Sequence, residues 1–341
     1  MVIDKNNLDS LRKRANSLLV GTALAVLEEA VKRGIKVELP FDNFKLMWLY
    51  LTPGAQPVEI RRTLTHDSSP ISMAITIDKS LSYKVADSVG MRLLPWLVTS
   101  SDQEAIKFFR SHDGKCIIKP AKGQAGRDII TSFTDEHDFI AKHKSLSLTD
   151  SVVIQAKSSG RNDVRLLFIG NKFSAATVTR CTELSGDGIK TFRQLVVDEN
   201  ARRQVSNQTR QRTMKLTKLN INEATVASEI QPAMVPGSGV RVVASLSNTT
   251  KGGIAQDVTS IIHHSFVEEA VKLVKRLNLP VVAVDFICDD IDEGRDIEDS
   301  NAYFLEANSA PGLDMHIFPH EGEGVNVAGM FIDYLISESA K

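Results

Sequence analysis

The sequence has few cysteines, little aromatic content and almost no net charge. Only three cysteines occur among 341 residues, at positions 116, 181 and 288, and their wide separation excludes a disulfide framework and a Cys-x-x-Cys site. A formal net charge of −1 disfavours nucleic acid or an anionic membrane as a partner bound by bulk charge. No apolar run approaches the roughly 18 residues of a membrane-spanning helix, and the N-terminus lacks a signal-peptide pattern. We therefore expect a globular, cytoplasmic protein.

The first part of the chain predicts a small α/β lobe. Apolar residues recur with helical spacing from 8 to 33, and Gly34 follows as a helix stop. Residues 35–39 predict a strand. The segments 59–65 and 71–78 alternate or run apolar as strands do, with a polar turn between them.

Strand patterns dominate the middle of the chain. Residues 116–133 predict a strand, a glycine-containing loop and a second strand. Residues 163–180 predict a hairpin that turns at Gly170 and Asn171. Helices are predicted at 80–91, 102–111 and 135–145.

Beyond residue 190 the sequence first becomes polar and basic and then returns to strands. Residues 192–230 predict one or two helices. The basic stretch 202–218 within them predicts a solvated face or lid in preference to a site for an acidic peptide, an acidic amino acid or RNA. Strands are predicted at 240–248, 281–290 and 302–308, with a helix at 265–277.

Two acidic residues interrupt strongly apolar strand patterns: Asp285, and Glu306 with Asn308 two residues later. An unpaired buried carboxylate is costly, so each acid is expected to have a partner. Residues 306 and 308 point to one face of an extended chain, and Asp285 joins them if the two strands are neighbours. Three oxygen ligands suit Mg²⁺, which completes its shell with water and substrate phosphates. The alternative is that each acid caps a strand or pairs with an arginine.

A glycine loop with two lysines follows the strand that begins at Cys116. Lys119 and Lys122 supply positive charge, while Gly123 and Gly126 let backbone N–H groups approach an anion. The spacing matches neither a P-loop nor a Rossmann fingerprint. The pattern predicts either a phosphate-binding loop or a β-hairpin with a basic tip.

The order of the charged groups along the chain, from Lys79 and Lys119 through Arg165 and Arg180 to Asp285 and Glu306, resembles that of the ATP-grasp carboxylate–amine ligases. Asp163, Arg165 and Arg180 lie in a stretch similar to the Asp-x-Arg strand and the hairpin of that family. Lys79 lies in a stretch similar to the Asp-Lys pair that starts a helix before the first ATP lobe. The later part of the chain resembles most the ATP-grasp region of cyanophycin synthetases, and the resemblance extends over residues 66–330.

The resemblance implies an α+β chain with the ATP-grasp fold, in which two α+β lobes hold ATP between antiparallel sheets. It divides the chain into a shortened N-terminal α/β lobe (1–75), a small lobe with the glycine-rich loop (76–156) and a C-terminal lobe (157–341) with a helical insertion at 192–232. Cyanophycin synthetases carry a second, Mur-ligase-like ATPase module. This chain has neither the length nor the P-loop for that module, which leaves ligation without polymerisation as the expectation.

The implied activity is an ATP-dependent ligation of a carboxylate to an amine through an acyl phosphate, with ADP and phosphate as products. The implied cofactor is one or two Mg²⁺, or Mn²⁺, beside ATP. Expected partners are amino-acid or peptide substrates and a second copy of the chain in a homodimer. Two alternatives stay open: an ATP-binding regulator that has lost catalysis, and a phosphotransferase that stops at the phosphorylated acid.

The resemblance also implies roles for individual residues. Catalysis is expected of Lys119, Arg165 and Arg180. Nucleotide binding is expected of Lys79, Lys119, Lys122, Gly123, Gln124, Gly126, Gln155, Ala156, Lys157 and Asp163, with adenine met largely by the backbone of the hinge at 155–157. Metal binding is expected of Asp285, Glu306 and Asn308, and substrate binding of Arg180, Arg241 and His316. His316 is predicted to be a loop histidine in the acceptor pocket, because Pro319 interrupts any regular helix toward His320.

Overall fold

The computed structural model describes residues 2–3, 8–18, 21–41, 44–52, 54–123, 128–148, 151–210, 214–291 and 294–340. The helices in these ranges are α1 Leu8–Leu18, α2 Gly21–Lys32, α3 Pro70–Ile77, α4 Lys79–Ser88, α5 Asp102–Ser111, α6 Glu136–Ser147, α7 Phe192–Ser206, α8 Ile221–Ser228, α9 His264–Leu277, α10 Asp314–Ile317 and α11 Val327–Ser339. None of them is long and apolar enough to cross a membrane.

The strands form four sheets. They are β1 Val2–Ile3, β2 Lys36–Glu38, β3 Met47–Tyr50, β4 Val58–Ile60, β5 Trp96–Val98, β6 Cys116–Pro120, β7 Val152–Ala156, β8 Asn162–Ile169, β9 Lys172–Arg180, β10 Glu183–Ser185, β11 Arg241–Val243, β12 Ile254–Asp257, β13 Val281–Cys288 and β14 Tyr303–Asn308. The sheet orders are β1-β2-β3-β4, β5-β7-β6, β12-β9-β8-β13-β14 and β10-β11. All pairings between these strands are antiparallel, and the mixture of helices and antiparallel sheets confirms the α+β class.

The N-terminal sheet and its helices share a core with the large sheet. Apolar residues of α2 pack together with Leu167 of β8, Ala283 of β13 and Phe331 of α11. The helical pattern over 8–33 forms two helices, α1 and α2, and residues 19–20 lie outside the described residues. Gly34 follows α2 with a φ of +75°, as expected of a helix stop. The division of the chain at residues 75 and 156 stays a prediction.

The prediction of a strand at 71–78 is wrong, because this segment forms α3. Ser69 caps the helix by accepting from the backbone N–H of Ser72 at 3.3 Å. Pro70 occupies the first turn, where its fixed φ and missing N–H favour helix. The apolar run was long enough to fit either structure, so the capping residues decided the outcome.

The three-stranded sheet β5-β7-β6 carries α5 and α6, and the helix predicted at 102–111 is confirmed as α5. Its apolar core includes Phe139 and Ile154. The predicted second strand after the glycine loop is reduced to a single bridge between Ile118 and Ile130. This sheet presents Lys119 of β6 and Gln155 of β7.

The five-stranded sheet is the largest, and it is built around the confirmed hairpin of β8 and β9. Gly170 and Asn171 turn the chain with φ angles of 56° and 62°, as a type I′ turn requires. β13 pairs with β8 along its whole length and with β14 on its other edge. Central strands buried on both faces explain why β13 is almost continuously apolar.

The segment 181–253 leaves the large sheet after β9 and returns to it as β12. It contains α7, α8 and the two-stranded sheet β10-β11, with a small core of its own that includes Phe192 and Leu219. Arg203, which is 1% exposed, closes the base of the segment by donating to Thr182 and to the carbonyl of Gly252. Part of the predicted basic insertion, residues 211–213, lies outside the described residues.

Candidate active site

The acidic residues predicted to bind metal lie on adjacent strands at the centre of the large sheet. Asp285 of β13 is directly opposite Glu306 of β14, and it is opposite Arg165 of β8 on its other side. Residues opposite one another in an antiparallel pair share a face of the sheet. The register therefore brings one arginine and two carboxylates side by side.

Hydrogen bonds link these side chains closely. Arg165 donates to Asp285 through Nε at 2.8 Å and through Nη2 at 2.5 Å. The Nδ2 atom of Asn308 donates to Asp285 Oδ2 at 3.1 Å and to Glu306 Oε1 at 3.2 Å. The three predicted metal ligands thus converge, and Asp285 also has the arginine partner that the alternative interpretation expected. Their role as metal ligands stays a prediction.

The acidic cluster carries more negative charge than its arginine neutralises. Burial raises the pKa of Asp285, Arg165 opposes that rise, and Glu306 adds to it. Burial also raises the pKa of Asp163 to about 6; the hydroxyl of Ser247, 2.8 Å away, opposes this, and Asp285 and Glu306 contribute to it. The negative charges of Asp285 and Glu306 thus reach Asp163, and the charge of Glu306 also reaches Asp285.

Lys119 supplies a buried cation from the other sheet. It is 2% exposed, and its Nζ donates to Tyr83 Oη and to Gln155 Oε1, both at 2.9 Å. Burial lowers its pKa to about 8, and attraction to Glu306 counteracts that fall. The predicted phosphate lysine and a predicted metal ligand are thus electrostatic neighbours, although they come from different sheets.

The start of α4 lies against the beginning of the glycine loop. Lys79 Nζ donates to the carbonyl of Gly123 at 2.8 Å, and its backbone N–H donates to Ala121 at 2.8 Å. Asp78 caps α4 and forms an isolated bridge with Lys122. Lys79 therefore contacts the loop backbone, and its predicted contact with phosphate stays a prediction. The predicted residues Gln124 and Gly126 lie outside the described residues.

The resemblance implies that the backbone of the hinge after β7 makes most contacts with adenine, and two N–H groups of this hinge already have partners. The N–H of Ala156 donates to Pro95 at 2.9 Å, and the N–H of Lys157 donates to Lys115 at 2.9 Å. The side chain of Gln155 is buried beside Lys119. These two N–H groups already donate to the residues that precede β5 and β6, so they do not support a contact with adenine. The adenine contacts of residues 155–157 stay a prediction.

The remaining predicted arginines lie in different sheets. Arg180, at the end of β9, donates through Nη2 to the carbonyl of Ile291 at 3.0 Å, while its Nε is buried with no partner among the described residues. Arg241 lies in β11 and donates to Glu183 at 3.1 Å across the small sheet, with its side chain largely exposed. The structure does not bring the two side chains into contact, and their predicted substrate roles stay untested.

His316 is not in a loop, contrary to the prediction. It lies in the short helix α10, is 1% exposed, and its Nδ1 is 2.8 Å from Thr177 Oγ1. Burial lowers its pKa to about 3, with a further contribution from Arg165. The ring is therefore neutral and packed beneath β9. His320 is also buried, and its Nδ1 accepts from the N–H of Ala255.

Sequence reasoning missed Tyr83 and Ser247, which contact this site. Tyr83 touches Lys119, and Ser247 donates to Asp163. Ser247 lies in a loop more than 80 residues away in the chain, so nothing local links it to the site. A fully buried tyrosine needs a hydrogen-bond partner, but the sequence does not name that partner.

Comparisons with known proteins agree with this architecture. No protein-family model matches the sequence. The chain is 25% identical over 321 residues to a cyanophycin synthetase of Trichormus variabilis, which covers 91% of this chain and 34% of that protein. It is 25% identical over 322 residues to the glutathione biosynthesis bifunctional protein GshAB of Mannheimia succiniciproducens, which covers 92% of this chain and 42% of that protein.

A solved structure gives the same result for the fold. A bifunctional glutathione synthetase from Pasteurella multocida superposes with a TM-score of 0.65 and 22% identity, covering 93% of this chain and 43% of that one. The chain thus spans between a third and a half of the length of these relatives. The chain has the ATP-grasp fold, and its sequence is similar to those of the cyanophycin synthetases and the bifunctional glutathione biosynthesis proteins.

Proposed function

We propose that the chain is an ATP-dependent ligase that joins the carboxylate of an amino acid or peptide to an amine. The observation that carries the proposal is the meeting of a buried cation with a buried acidic cluster across two sheets. Burial lowers the pKa of Lys119 in the three-stranded sheet, and the charge of Glu306 opposes that fall. Glu306 lies beside Asp285 and Asn308 in the five-stranded sheet. The negative phosphates of a nucleoside triphosphate complement Lys119, and a divalent cation complements the acidic cluster.

The chemistry of the donors fits Mg²⁺. Two carboxylates and one amide supply hard oxygen ligands, and the carboxylates already lie within hydrogen-bond distance of one amide group. Among the described residues, no group of three or more His, Cys, Asp or Glu side chains could hold a metal, so the proposed site depends on the Asn308 amide beside its two carboxylates. Asp285, Glu306 and Asn308 would hold the ion, with water and phosphate oxygens completing the shell. When bound, Mg²⁺ neutralises the charge of the phosphates.

The cationic side chains would align the phosphates. Lys119 donates two of its N–H groups to neutral partners and has a third for a phosphate oxygen. Arg165 can exchange part of its contact with Asp285 for an anion, since its guanidinium has five donors. Lys79 sits where the glycine loop begins and would follow any movement of that loop.

The reaction proposed for this site has two balanced steps. A substrate carboxylate oxygen attacks the γ-phosphorus of ATP, the bond to the β-phosphate oxygen breaks, and ADP leaves. An amine then attacks the carbonyl carbon of the acyl phosphate; the C–N bond forms, the C–O bond to phosphate breaks, and the amine gives up a proton. No protein nucleophile takes part, and the side chains contribute alignment and charge neutralisation.

The relatives support an amino-acid or peptide substrate, since their names refer to cyanophycin and glutathione synthesis. Because the chain spans less than half of each, this substrate class, a homodimeric assembly and a cytoplasmic location are part of the proposal. Arg180, Arg241 and His316 remain candidates for substrate selection.

Phosphate release from ATP tests the proposal directly. Purified protein with Mg²⁺ is assayed against the twenty amino acids singly and in pairs, beside a Glu306→Gln variant as the inactive control. We expect release only when an acid and an amine are both present, with a new amide detected by mass spectrometry. ADP formation that needs an acid and no amine, with the phosphoryl group retained on the acid, would identify a phosphotransferase. Background turnover across the panel with tight ATP binding would identify a regulator.

A further inference from the structure

We infer that Tyr83 is a positioning residue that holds the Lys119 ammonium against the strand carrying Glu306, so that nucleotide affinity depends on the hydroxyl of a residue that need not touch the nucleotide. The inference rests on the proposed function for its nucleotide, and on geometry for everything else. Neither the sequence patterns nor the resemblance assigns a role to Tyr83.

The hydroxyl of Tyr83 lies where both sheets meet. Its Oη accepts from Lys119 of β6 at 2.9 Å, and it lies 2.9 Å from the carbonyl of Leu305 in β14 and 3.1 Å from Gln155 Oε1 in β7. Leu305 directly precedes Glu306. One phenol thus contacts the predicted phosphate lysine and the backbone beside a predicted metal ligand.

Aromatic packing fixes the position of this phenol. The Tyr83 ring stacks on Trp96 at 5.6 Å between centroids and meets the edge of Phe304 at 5.7 Å. Tyr83 is fully buried. Because Trp96 belongs to β5 and Phe304 to β14, the ring is held from the two sheets that it links.

The partners of Lys119 explain why the hydroxyl matters for binding as well as for packing. In the part of the chain that the structure describes, Lys119 donates to two neutral oxygens, those of Tyr83 and Gln155. Glu306 is the charged group that acts on it. Uncharged acceptors do not neutralise a buried ammonium, so it still attracts an anion. The two hydrogen bonds fix the direction of its third N–H.

The Tyr83 hydroxyl should therefore affect nucleotide affinity through Lys119. Without the hydroxyl, the ammonium loses one of its two fixed acceptors, and α4 loses a hydrogen bond to the carbonyl of Leu305, which precedes Glu306. The aromatic ring remains in place in a Tyr83→Phe variant, so the two sheets keep their packing. The loss should therefore appear in nucleotide affinity and in the Michaelis constant for ATP more than in turnover.

A double-mutant cycle tests this coupling. ATP binding in the presence of Mg²⁺ is measured by calorimetry for the wild type, Tyr83→Phe, Lys119→Met and the double variant. We expect about a tenfold loss of affinity for Tyr83→Phe in the wild-type background, in the range of one hydrogen bond to a charged group, and less than twofold in the Lys119→Met background. Tyr303→Phe, on β14 beside Arg92, is the matched control and should bind ATP as the wild type does.

Equal losses in both backgrounds, or wild-type affinity in Tyr83→Phe, would overturn the inference. A second measurement needs no nucleotide: the acetylation rate of Lys119 relative to exposed Lys84 on the same helix as Tyr83, read by peptide mass spectrometry. We expect the relative rate to rise severalfold in Tyr83→Phe and to stay unchanged in Tyr303→Phe. If the wild type binds no ATP but the rate still rises in Tyr83→Phe, the proposed function is refuted and Tyr83 keeps its role in positioning Lys119. An unchanged rate in Tyr83→Phe would refute the positioning role itself.

Discussion

The two sheets that meet at the candidate site bury opposite charges in different ways. In the five-stranded sheet, Asp285 is buried with a charged partner, Arg165, which binds it through two hydrogen bonds. In the three-stranded sheet, Lys119 is buried among neutral oxygens, those of Tyr83 and Gln155. Asp285 has a hydrogen-bonded counter-ion within its own sheet, whereas the hydrogen bonds of Lys119 go to uncharged oxygens.

The difference suggests separate roles in folding and in binding. An ion pair inside one sheet ties its strands together, and removal of one partner leaves a bare buried charge. A cation with neutral partners contributes little to holding the fold, but it attracts an anion strongly once one is present. The following substitutions separate the two roles.

Arg165→Met should give the largest loss of stability. It leaves Asp285 buried without its counter-ion, and breaking a buried pair in this way costs about 3 kcal/mol or more. Urea unfolding at pH 8 measures the change. Arg110→Met, which breaks an exposed pair with Glu136, is the matched control and should cost less than about 1 kcal/mol. Equal costs for the two variants would show that the Arg165 pair behaves as a surface pair.

Glu306→Gln should abolish most activity with little change in stability. The amide keeps the shape of the side chain and removes one negative ligand, and we expect a loss of about 100-fold to 1,000-fold in kcat, comparable with the loss of one preorganised charge contact. Phosphate release at increasing Mg²⁺ concentrations measures it. Glu136→Gln changes an exposed carboxylate and should leave turnover intact. Full activity of Glu306→Gln would remove Glu306 from the metal site.

Lys119→Met should weaken ATP binding and leave stability nearly unchanged, whereas Arg165→Met mainly lowers stability. The free energy of unfolding should change by less than about 1 kcal/mol, because a buried charge with neutral partners is replaced by an apolar side chain of similar length. ATP affinity should fall about 100-fold, as for a lost charge-assisted contact. Calorimetry and urea unfolding on one preparation give both numbers, and a large stability loss with normal affinity would reverse the assignment.

Asp163→Asn should give the smallest effect, and one that depends on pH. Because burial raises the pKa of Asp163 to about 6, above its ordinary value near 4, the folded state binds more protons than the unfolded state between about pH 4 and 6. The ionised side chain therefore destabilises the fold above pH 6, and this cost disappears as the pH falls toward 4.

The asparagine variant removes that cost. Its free energy of unfolding should exceed that of the wild type by about 2 kcal/mol at pH 8, and the gap should close by pH 4. Unfolding curves at four pH values measure the gap. Asp87→Asn, an exposed change on α4, is the control, and a gap that stays constant with pH would contradict the buried-carboxylate explanation.

Local sequence patterns predicted most helices and strands, because hydrophobic period and punctuation act over a few residues. Gly90 and the spacing before it predicted α4, and Gly170 with Asn171 predicted the central hairpin. The segment 71–78 failed because an apolar run of that length fits either structure, and Ser69 and Pro70 decided for a helix.

The candidate site was predictable only where its members lie on the same or neighbouring strands. Glu306 and Asn308 share a strand, so their common face follows from its geometry. The side chain of Tyr83, the hydroxyl of Ser247 and the burial of His316 follow from contacts between elements far apart in the chain. No local pattern carries that information.

The sequence by itself determined which charged groups must find partners, since an acid in an apolar strand cannot be buried alone. It also determined the resemblance that pointed to an ATP-grasp fold. The tertiary structure decided which partner each group received: Arg165 for Asp285, and two neutral oxygens for Lys119. The reason is that strand register and the packing of Tyr83 between two sheets fix distances that the order of residues along the chain does not contain.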